Sequence, residues 1–393
     1  MNPAPDIETI QASLREADVD GWLLYDFHGL NPIAAGIAGV TGIVTRRWFL
    51  LVPTQGVPRW IMHTIEQAPF AGKPGEFTTY SSWQELDRAL AEALAGCKRV
   101  AMEYSPGNAI PYVARVDAGM IEKIRSFGPE IVSSADLVAQ MLARWTPDQI
   151  RLHREAAAGL IAIKDAAFDL ITARVRDGAT LCERDVVTFV HDCFAERGME
   201  TDSGPIVAVG PNAGNPHYEP APTGSAPIGP DNLVLIDMWA KLRHREAVYA
   251  DISWVGYTGT EVPKTIAAIF DIVARARDRA VSFLNEKLSA GATVMGCEVD
   301  RAVRGLITDC GYGACFVHRT GHSIGTDVHG VGPNIDDLET QDRRLLRNGM
   351  AFSIEPGIYL PEFGVRSEID CLIENDAVVV TTLPLQTEIT RLV

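Results

Sequence analysis

The sequence predicts an α+β protein of two domains, with a boundary near residue 145 and a pseudo-twofold second domain. The chain has 393 residues, which is long for one domain and ample for a sizeable buried core. Residues 1–145 alternate short apolar runs with helical patterns. Residues 146–393 repeat one order of elements, helix, helix and hairpin, which indicates two related halves.

The first domain is predicted to be α/β, with at least three strands. Apolar runs indicate the strands and helical periodicity indicates the helices. These segments are Gly21–Tyr25, Trp48–Val52, Pro58–Met62, Ser82–Ala95 and Ile110–Ile124, the last two being helical. No phosphate-binding loop and no GxGxxG motif occurs in this part of the sequence, so it predicts no nucleotide site.

The second domain opens with a strong helix start. Thr146 can cap the helix, Pro147 suits its first position, and Gln149 can close a capping box. A second capping box, Thr180 with Glu183, predicts the next helix. The remaining predicted elements are strands at 205–209, 233–239 and 248–257, helices at 263–287 and 296–310, and strands at 351–359 and 365–374.

Composition excludes several classes of function. The net charge of −16 disfavours nucleic acid and anionic membranes as partners, because phosphate groups attract basic surfaces. No apolar stretch approaches the length of a membrane span, and the N-terminal residues do not resemble a signal peptide. The seven cysteines contain no CxxC pair, so we expect reduced thiols in a cytoplasmic protein.

Each predicted hairpin carries two acidic residues. Asp237 and Glu355 directly follow the apolar runs LVLI and AFSI, and Asp251 and Glu368 lie on the returning strands. A charge next to a buried run costs free energy unless it is paired or bound to a metal. Taken singly, an acid in a strand is usually a solvated edge residue or the partner of an arginine. Their matched placement favours a shared cation site.

Histidines strengthen this hypothesis. The segment HRTGHSIG carries His318 and His322, and DVHG carries His329. It is not the HExxH zinc helix, because position 319 is arginine and Gly321 disfavours a helix. A turn entering a strand would aim one imidazole at a metal and leave others for the substrate. His217 lies in a proline- and glycine-rich loop before the first hairpin, where a lone histidine more often has an incidental role.

Together these segments resemble the successive motifs of the pita-bread metallopeptidases, the family of aminopeptidase P, prolidase, methionine aminopeptidase and creatinase. The similar segments are GPNAGNPHY, VLIDMWAK, VYADISWVGYTG, HRTGHSIGTDVHG, FSIEPGIYL and GVRSEID. The resemblance covers about residues 146–393, and residues 1–145 resemble the creatinase-type N-terminal domain more weakly. It implies a pita-bread fold and a homodimer.

The resemblance also implies roles for individual residues. Asp237 would bind one of two divalent ions, Asp251 and Glu368 would bridge both, and His322 and Glu355 would bind the second. Manganese is favoured, with cobalt or zinc as alternatives. His217, His318 and His329 would hold the substrate and stabilise the tetrahedral intermediate. Arg366 would orient the carboxylates, and the ligand Glu355 would also move the proton.

Two departures from the family pattern concern the substrate. Trp239 stands where the family usually has glycine, and the turn KLRHRE is longer than usual. The arginine that prolidases carry shortly after the residue equivalent to His329 is missing, and Arg343, Arg344 or Arg347 would have to replace it.

The leading hypothesis is an exopeptidase that cleaves Xaa-Pro bonds, as an aminopeptidase or a dipeptidase. An alternative is a metal-dependent hydrolase of a small non-peptide C–N substrate on the same fold. A remote alternative is a non-catalytic binding module. Creatinase lacks the metal ligands, whereas all five are present in this sequence, which argues against metal-free chemistry.

Overall fold

The computed structural model describes residues 5–42 and 44–393. The chain divides into two compact units, Met1–Leu142 and Ala143–Val393. Both contain helices and β-sheets, so the predicted α+β class is confirmed.

The first unit is built on a six-stranded mixed sheet with the order β4-β3-β2-β1-β5-β6. Its strands are β1 Gly21–Asp26, β2 Trp48–Pro53, β3 Arg59–His63, β4 Glu76–Tyr80, β5 Arg99–Met102 and β6 Glu130–Ser133. Its helices are α1 Ile7–Glu16, α2 Pro32–Ala38, α3 Trp83–Leu94, α4 Ala118–Ser126 and α5 Ala135–Leu142. Strand β1 is buried along its whole length, as expected for a strand paired on both sides.

The helix predicted over 110–124 is wrong in its first half. Residues Pro111–Val113 form a 3-10 turn, and α4 begins only after Asp117. The Asp117 carboxylate accepts a hydrogen bond from the Met120 backbone N–H and so caps the helix there. Apolar spacing alone does not reveal such a cap.

Four helices belong to the second unit: α6 Pro147–Arg176, α7 Glu183–Glu196, α8 Lys264–Ser289 and α9 Gly296–Asp309. Helix α6 begins as predicted, because Thr146 and Gln149 form a reciprocal capping box. The box predicted from Thr180 and Glu183 is wrong. Helix α7 is capped at Cys182, whose backbone N–H donates to Asp185.

The second unit also contains strands of two to ten residues. They are β7 Met199–Glu200, β8 Ile206–Val209, β9 Leu233–Leu242, β10 Ala250–Tyr257, β11 Val294–Met295, β12 Leu345–Leu346, β13 Ala351–Ile354, β14 Gly357–Tyr359, β15 Gly364–Arg366, β16 Ile369–Glu374, β17 Ala377–Val380 and β18 Thr390–Arg391. One sheet has the order β18-β10-β9-β7 with β8 also on β9, and a second has the order β13-β16-β17. The predicted strands over 351–359 and 365–374 are each divided in two by a break.

Both faces of the β9–β10 pair are covered. Val234 and Ile236 pack into an apolar cluster with residues of α6 and α7, whereas Leu233 and Leu235 pack with α8 and α9. Asp237 continues the second series, because side chains two apart on a strand share a face. Within the described ranges, no helix is long and apolar enough to cross a membrane.

Candidate active site

Strands β9 and β10 carry the first two acidic residues of the site. Their antiparallel ladder places Asp237 opposite Ser253 and Trp239 opposite Asp251. These four side chains therefore share one face of the sheet. Ser253, Asp237 and Asp251 are buried there.

Glu355 and Glu368 come from the break in the second hairpin. The β13–β16 ladder ends at the pair Ile354 and Ile369, and the β14–β15 ladder begins at the pair Gly357 and Arg366, so two residues of each strand lie between the ladders. Both acids lie in this gap. Neither residue is therefore paired in a strand ladder, and both side chains reach the same cavity as Asp237.

His322 lies on an irregular segment after α9. The preceding Gly321 pairs with Ile335, and a Cβ on Gly321 would lie 1.9 Å from the Ser353 carbonyl oxygen, so only glycine fits. The His322 backbone N–H donates to Ser353 Oγ at 2.9 Å. Its Nδ1 lies 3.2 Å from the Ser323 carbonyl oxygen, which favours the proton on Nδ1 and leaves the Nε2 lone pair available to a metal.

Three of these residues form a compact buried cluster. Asp251, His322 and Glu368 each offer one ligand atom, and the three atoms lie within 4.8 Å of one another. Asp251 Oδ1 is buried and has no hydrogen-bond partner. An unpartnered buried carboxylate oxygen is costly, and a divalent cation would satisfy it. Two carboxylates and one imidazole form a donor set that manganese, cobalt or zinc accepts.

The electrostatics of the cluster favour a cation. Burial raises the pKa of Asp251 and of Glu368 well above their usual values, and the neighbouring carboxylates raise both further. Burial also lowers the pKa of His322 well below its usual value. A bound cation would favour the ionised form of these acids. Cation binding would therefore release protons, and its affinity would depend on pH.

Asp237 and Glu355 flank this cluster. Asp237 Oδ1 accepts a hydrogen bond from Ser253 Oγ at 2.6 Å, and its Oδ2 accepts one from the Arg366 guanidinium. Glu355 Oε1 lies 3.6 Å from His322 Nε2. Burial raises the pKa of Glu355 to about 7, and Arg366 opposes this effect. The five residues predicted to bind metal thus line one cavity.

Arg366 and His318 lie behind the cavity wall and are not among the side chains that line it. Arg366 donates from Nε to Ser253 Oγ at 2.9 Å and from Nη1 to the Tyr359 hydroxyl at 3.0 Å. His318 Nε2 lies 2.7 Å from the same hydroxyl, and its Nδ1 lies 2.7 Å from the Arg319 carbonyl oxygen. Burial lowers the pKa of His318 to about 3, so the imidazole is neutral near pH 7.

His217 and His329 do line the cavity, and both side chains are exposed. The His329 ring lies edge-on to the His322 ring, with 4.4 Å between centroids. Partial desolvation by the cavity wall lowers the pKa of the His329 imidazole, which favours a neutral ring able to donate or accept a hydrogen bond. The three histidines predicted to hold the substrate thus divide into two at the cavity and one behind it.

Glu183 is a residue that the sequence did not assign to the site. It is fully buried and accepts hydrogen bonds from the Val209 backbone N–H at 2.8 Å, from Asn212 Nδ2 at 2.9 Å and from the Tyr218 hydroxyl at 2.6 Å. These contacts fix the loop that carries His217. Its position near a helix start made it resemble a capping residue.

None of the three arginines considered as a carboxylate grip lines the cavity. The guanidinium of Arg344 is bound to Asp342 at 2.6 Å and to the Val331 carbonyl oxygen at 2.7 Å. Arg343 donates to Gln341 at 2.7 Å and is not part of the site. The cavity itself has a volume of about 620 Å³, a size that suits a small ligand.

Residues 153–375 match the profile of metallopeptidase family M24. An Xaa-Pro dipeptidase of Lactobacillus delbrueckii subsp. lactis is 35% identical over 210 residues, which are 53% of this chain and 52% of that protein. The aligned part of this chain thus spans about half the length of that relative. A putative dipeptidase of Bacillus subtilis, YkvY, is 28% identical over 80% of both chains.

The fold also matches a solved structure over nearly the whole chain. Dipeptidase PepE from Mycobacterium ulcerans superposes with a TM-score of 0.70 at 21% identity, covering 98% of this chain and 96% of that chain. At this identity the match shows the fold alone. It confirms the predicted pita-bread architecture.

Proposed function

The chain belongs to metallopeptidase family M24, and from this premise we propose that it is an exopeptidase with two divalent metal ions that cleaves the bond before proline in short peptides. The observation that carries the proposal is the buried cluster of Asp251, His322 and Glu368 with its unpartnered Asp251 oxygen. Asp237 and Glu355 would complete the ligands of a pair of ions, with manganese favoured. Such ions would activate a water and polarise the scissile carbonyl.

The side chains at the cavity would carry the remaining steps. Glu355, which lines the cavity with its Oε1 3.6 Å from His322 Nε2, is placed to take a proton from the attacking water and to give it to the leaving nitrogen. His329 would donate a hydrogen bond to the developing oxyanion, because it lines the cavity beside His322. His318 would act indirectly, by positioning Tyr359 and Arg366, since its Nε2 is already hydrogen-bonded to the Tyr359 hydroxyl.

The names of the relatives support the substrate class. The two similar sequences are called an Xaa-Pro dipeptidase and a putative dipeptidase. Among the described residues, no arginine at the cavity replaces the one that prolidases carry shortly after the residue equivalent to His329. This favours substrates whose binding does not require an arginine to hold their carboxylate there. We therefore propose that both dipeptides and slightly longer peptides with proline in second position are cleaved.

The proposed test begins with purified protein stripped of metal by a chelator and reloaded with Mn²⁺. Ala-Pro and Ala-Pro-Ala are assayed for release of alanine before and after reloading. The proposal predicts cleavage of at least one peptide, lost with the chelator and restored by metal. If neither is cleaved with Mn²⁺, Co²⁺ or Zn²⁺, the peptidase proposal is wrong and a small non-peptide C–N substrate becomes the better candidate.

We further propose a cytoplasmic homodimer. All seven cysteines are unpaired, which suits a reducing compartment. Sedimentation at micromolar concentration tests the dimer, and a monomer mass would reject it.

A further inference from the structure

A bulge brings an additional acidic residue to the cavity. Glu200 pairs with Lys241, and Ile206 pairs with Asp237, so residues 201–205 stand opposite the shorter stretch 238–240. Extra residues in one strand of a ladder re-aim side chains, and such bulges often lie beside active sites. Here the bulge carries Asp202 to the cavity wall.

Trp239 fixes the position of this bulge. A Cβ on Gly204 would lie 2.5 Å from Cη2 of the Trp239 indole, and Gly204 has a φ of 69°, so only glycine fits against the ring. Trp239 also packs on the apolar cluster that contains Tyr249. Trp239 lies directly opposite Asp251 in the ladder. The indole is therefore the side chain that lies between the bulge and the metal-ligand cluster.

The indole holds the Asp202 carboxylate by one oxygen and leaves the other available. Oδ1 accepts hydrogen bonds from Trp239 Nε1 at 3.0 Å and from Ser203 Oγ at 3.1 Å. For Oδ2, the described part of the chain provides no hydrogen bond or ion pair. The side chain is exposed to the cavity. Asp202 is therefore a fixed anion with a free acceptor beside the reaction centre.

Other charges around the cavity do not neutralise Asp202. The Arg184 guanidinium is directed to the carbonyl oxygens of Pro220 and Ala221. A cationic group in the cavity would form a charge-assisted hydrogen bond with Asp202 Oδ2.

We propose that Asp202, held by Trp239, determines specificity by binding an ammonium or guanidinium group of the substrate. This inference rests on the proposed peptidase function and names the substrate chemistry that the site selects. In an Xaa-Pro dipeptide, the cation is either the α-ammonium or the side chain of a basic first residue. Both would make the same contact with Oδ2.

The test compares hydrolysis of Ala-Pro and Lys-Pro by the Mn²⁺-loaded wild type and three variants. Asp202→Asn keeps the acceptor for Trp239 but removes the charge. Trp239→Phe keeps a ring and removes the N–H donor. Glu219→Gln is the matched control, because Glu219 also lines the cavity and is exposed, whereas the indole N–H donates to Asp202.

Asp202→Asn is expected to raise KM about tenfold, the effect of losing one charge-assisted hydrogen bond, with kcat changed much less. Trp239→Phe should raise KM for the same substrate by a smaller factor, and Glu219→Gln should leave it unchanged. A rise for both peptides identifies the α-ammonium as the bound group, and a rise for Lys-Pro alone identifies the side chain.

Two results would overturn the inference while leaving the peptidase proposal intact. One is an unchanged KM for both peptides in Asp202→Asn, and the other is an equal rise in Glu219→Gln. Failure of the wild type to cleave Ala-Pro, Lys-Pro and Ala-Pro-Ala with Mn²⁺, Co²⁺ or Zn²⁺ would instead reject the proposed function, and this inference with it.

Discussion

Ser253 faces Asp237 across the β9–β10 ladder, and its hydroxyl lies 2.6 Å from Asp237 Oδ1. The same hydroxyl lies 2.9 Å from Glu368 Oε2 and accepts a hydrogen bond from Arg366 Nε at 2.9 Å. One buried hydroxyl thus connects acids from both hairpins of the second unit. Since it has a single proton, it can donate fully to only one carboxylate at a time.

Replacing Ser253 with alanine should weaken the site without unfolding the chain. The variant leaves Asp237, Glu368 and Arg366 without their shared partner, and loss of such an outer hydrogen bond typically lowers metal affinity or activity about 10- to 100-fold. Manganese affinity and kcat/KM are the measurements. Ser253→Thr, which keeps the hydroxyl, should retain most of both. Equal losses in the two variants would show that packing, not the hydroxyl, matters at this position.

Removing the Tyr359 hydroxyl should reduce stability and catalysis together. Tyr359→Phe leaves His318 Nε2 without its partner and leaves Arg366 Nη1 only the longer bond of 3.4 Å to the Pro216 carbonyl oxygen. An unsatisfied buried polar group costs about 1–3 kcal/mol. Urea unfolding should show a loss of this size, and kcat/KM should fall because Arg366 is less firmly fixed on Asp237. Unchanged stability would mean that water replaces the hydroxyl.

The sequence predicted the acids and histidines of the site better than the contacts that orient them. Asp237 and Glu355 were recognisable because a charge directly after an apolar run demands a partner. The break at Glu355 is indicated by Pro356, which follows it directly and cannot donate to a strand ladder. The break at Glu368 has no such sign, because its strand reads as continuous until its ladder partner is known.

Residues that act through distant contacts were harder to predict. Glu183 looked like a capping residue, whereas its carboxylate fixes the loop before His217. Trp239 was recognised as unusual, but its effect depends on Gly204 and Asp202, which approach it only through the bulge. Such pairings depend on tertiary packing and leave no periodic signal in the sequence.

A buried acid in the first unit gives a pH-dependent contribution to stability. Glu103 is fully buried and accepts hydrogen bonds from Trp22 Nε1 at 2.6 Å and from Asn31 Nδ2 at 2.8 Å. Burial raises its pKa from 4.5 to about 7, although these donors oppose the shift. The folded chain therefore takes up a proton at Glu103 before the unfolded chain does.

Between about pH 7 and pH 4.5, the free energy of unfolding contributed by Glu103 should rise as the pH falls. The slope would reach at most about 1.4 kcal/mol per pH unit. Urea unfolding of the wild type and of Glu103→Gln, which cannot titrate, measures this difference at several pH values. A difference that stays constant across the window would show that the pKa of Glu103 is not raised.

The central claim is that Asp251 and its neighbours hold the metal ions on which activity depends. Calorimetric titration of the metal-free chain with Mn²⁺ tests it most directly. The wild type should bind about two ions per chain. Asp251→Asn should lose this binding and at least a hundredfold of its kcat, with an unchanged circular dichroism spectrum, while the control Glu219→Gln binds as the wild type does. Wild-type stoichiometry and turnover in Asp251→Asn would contradict the claim.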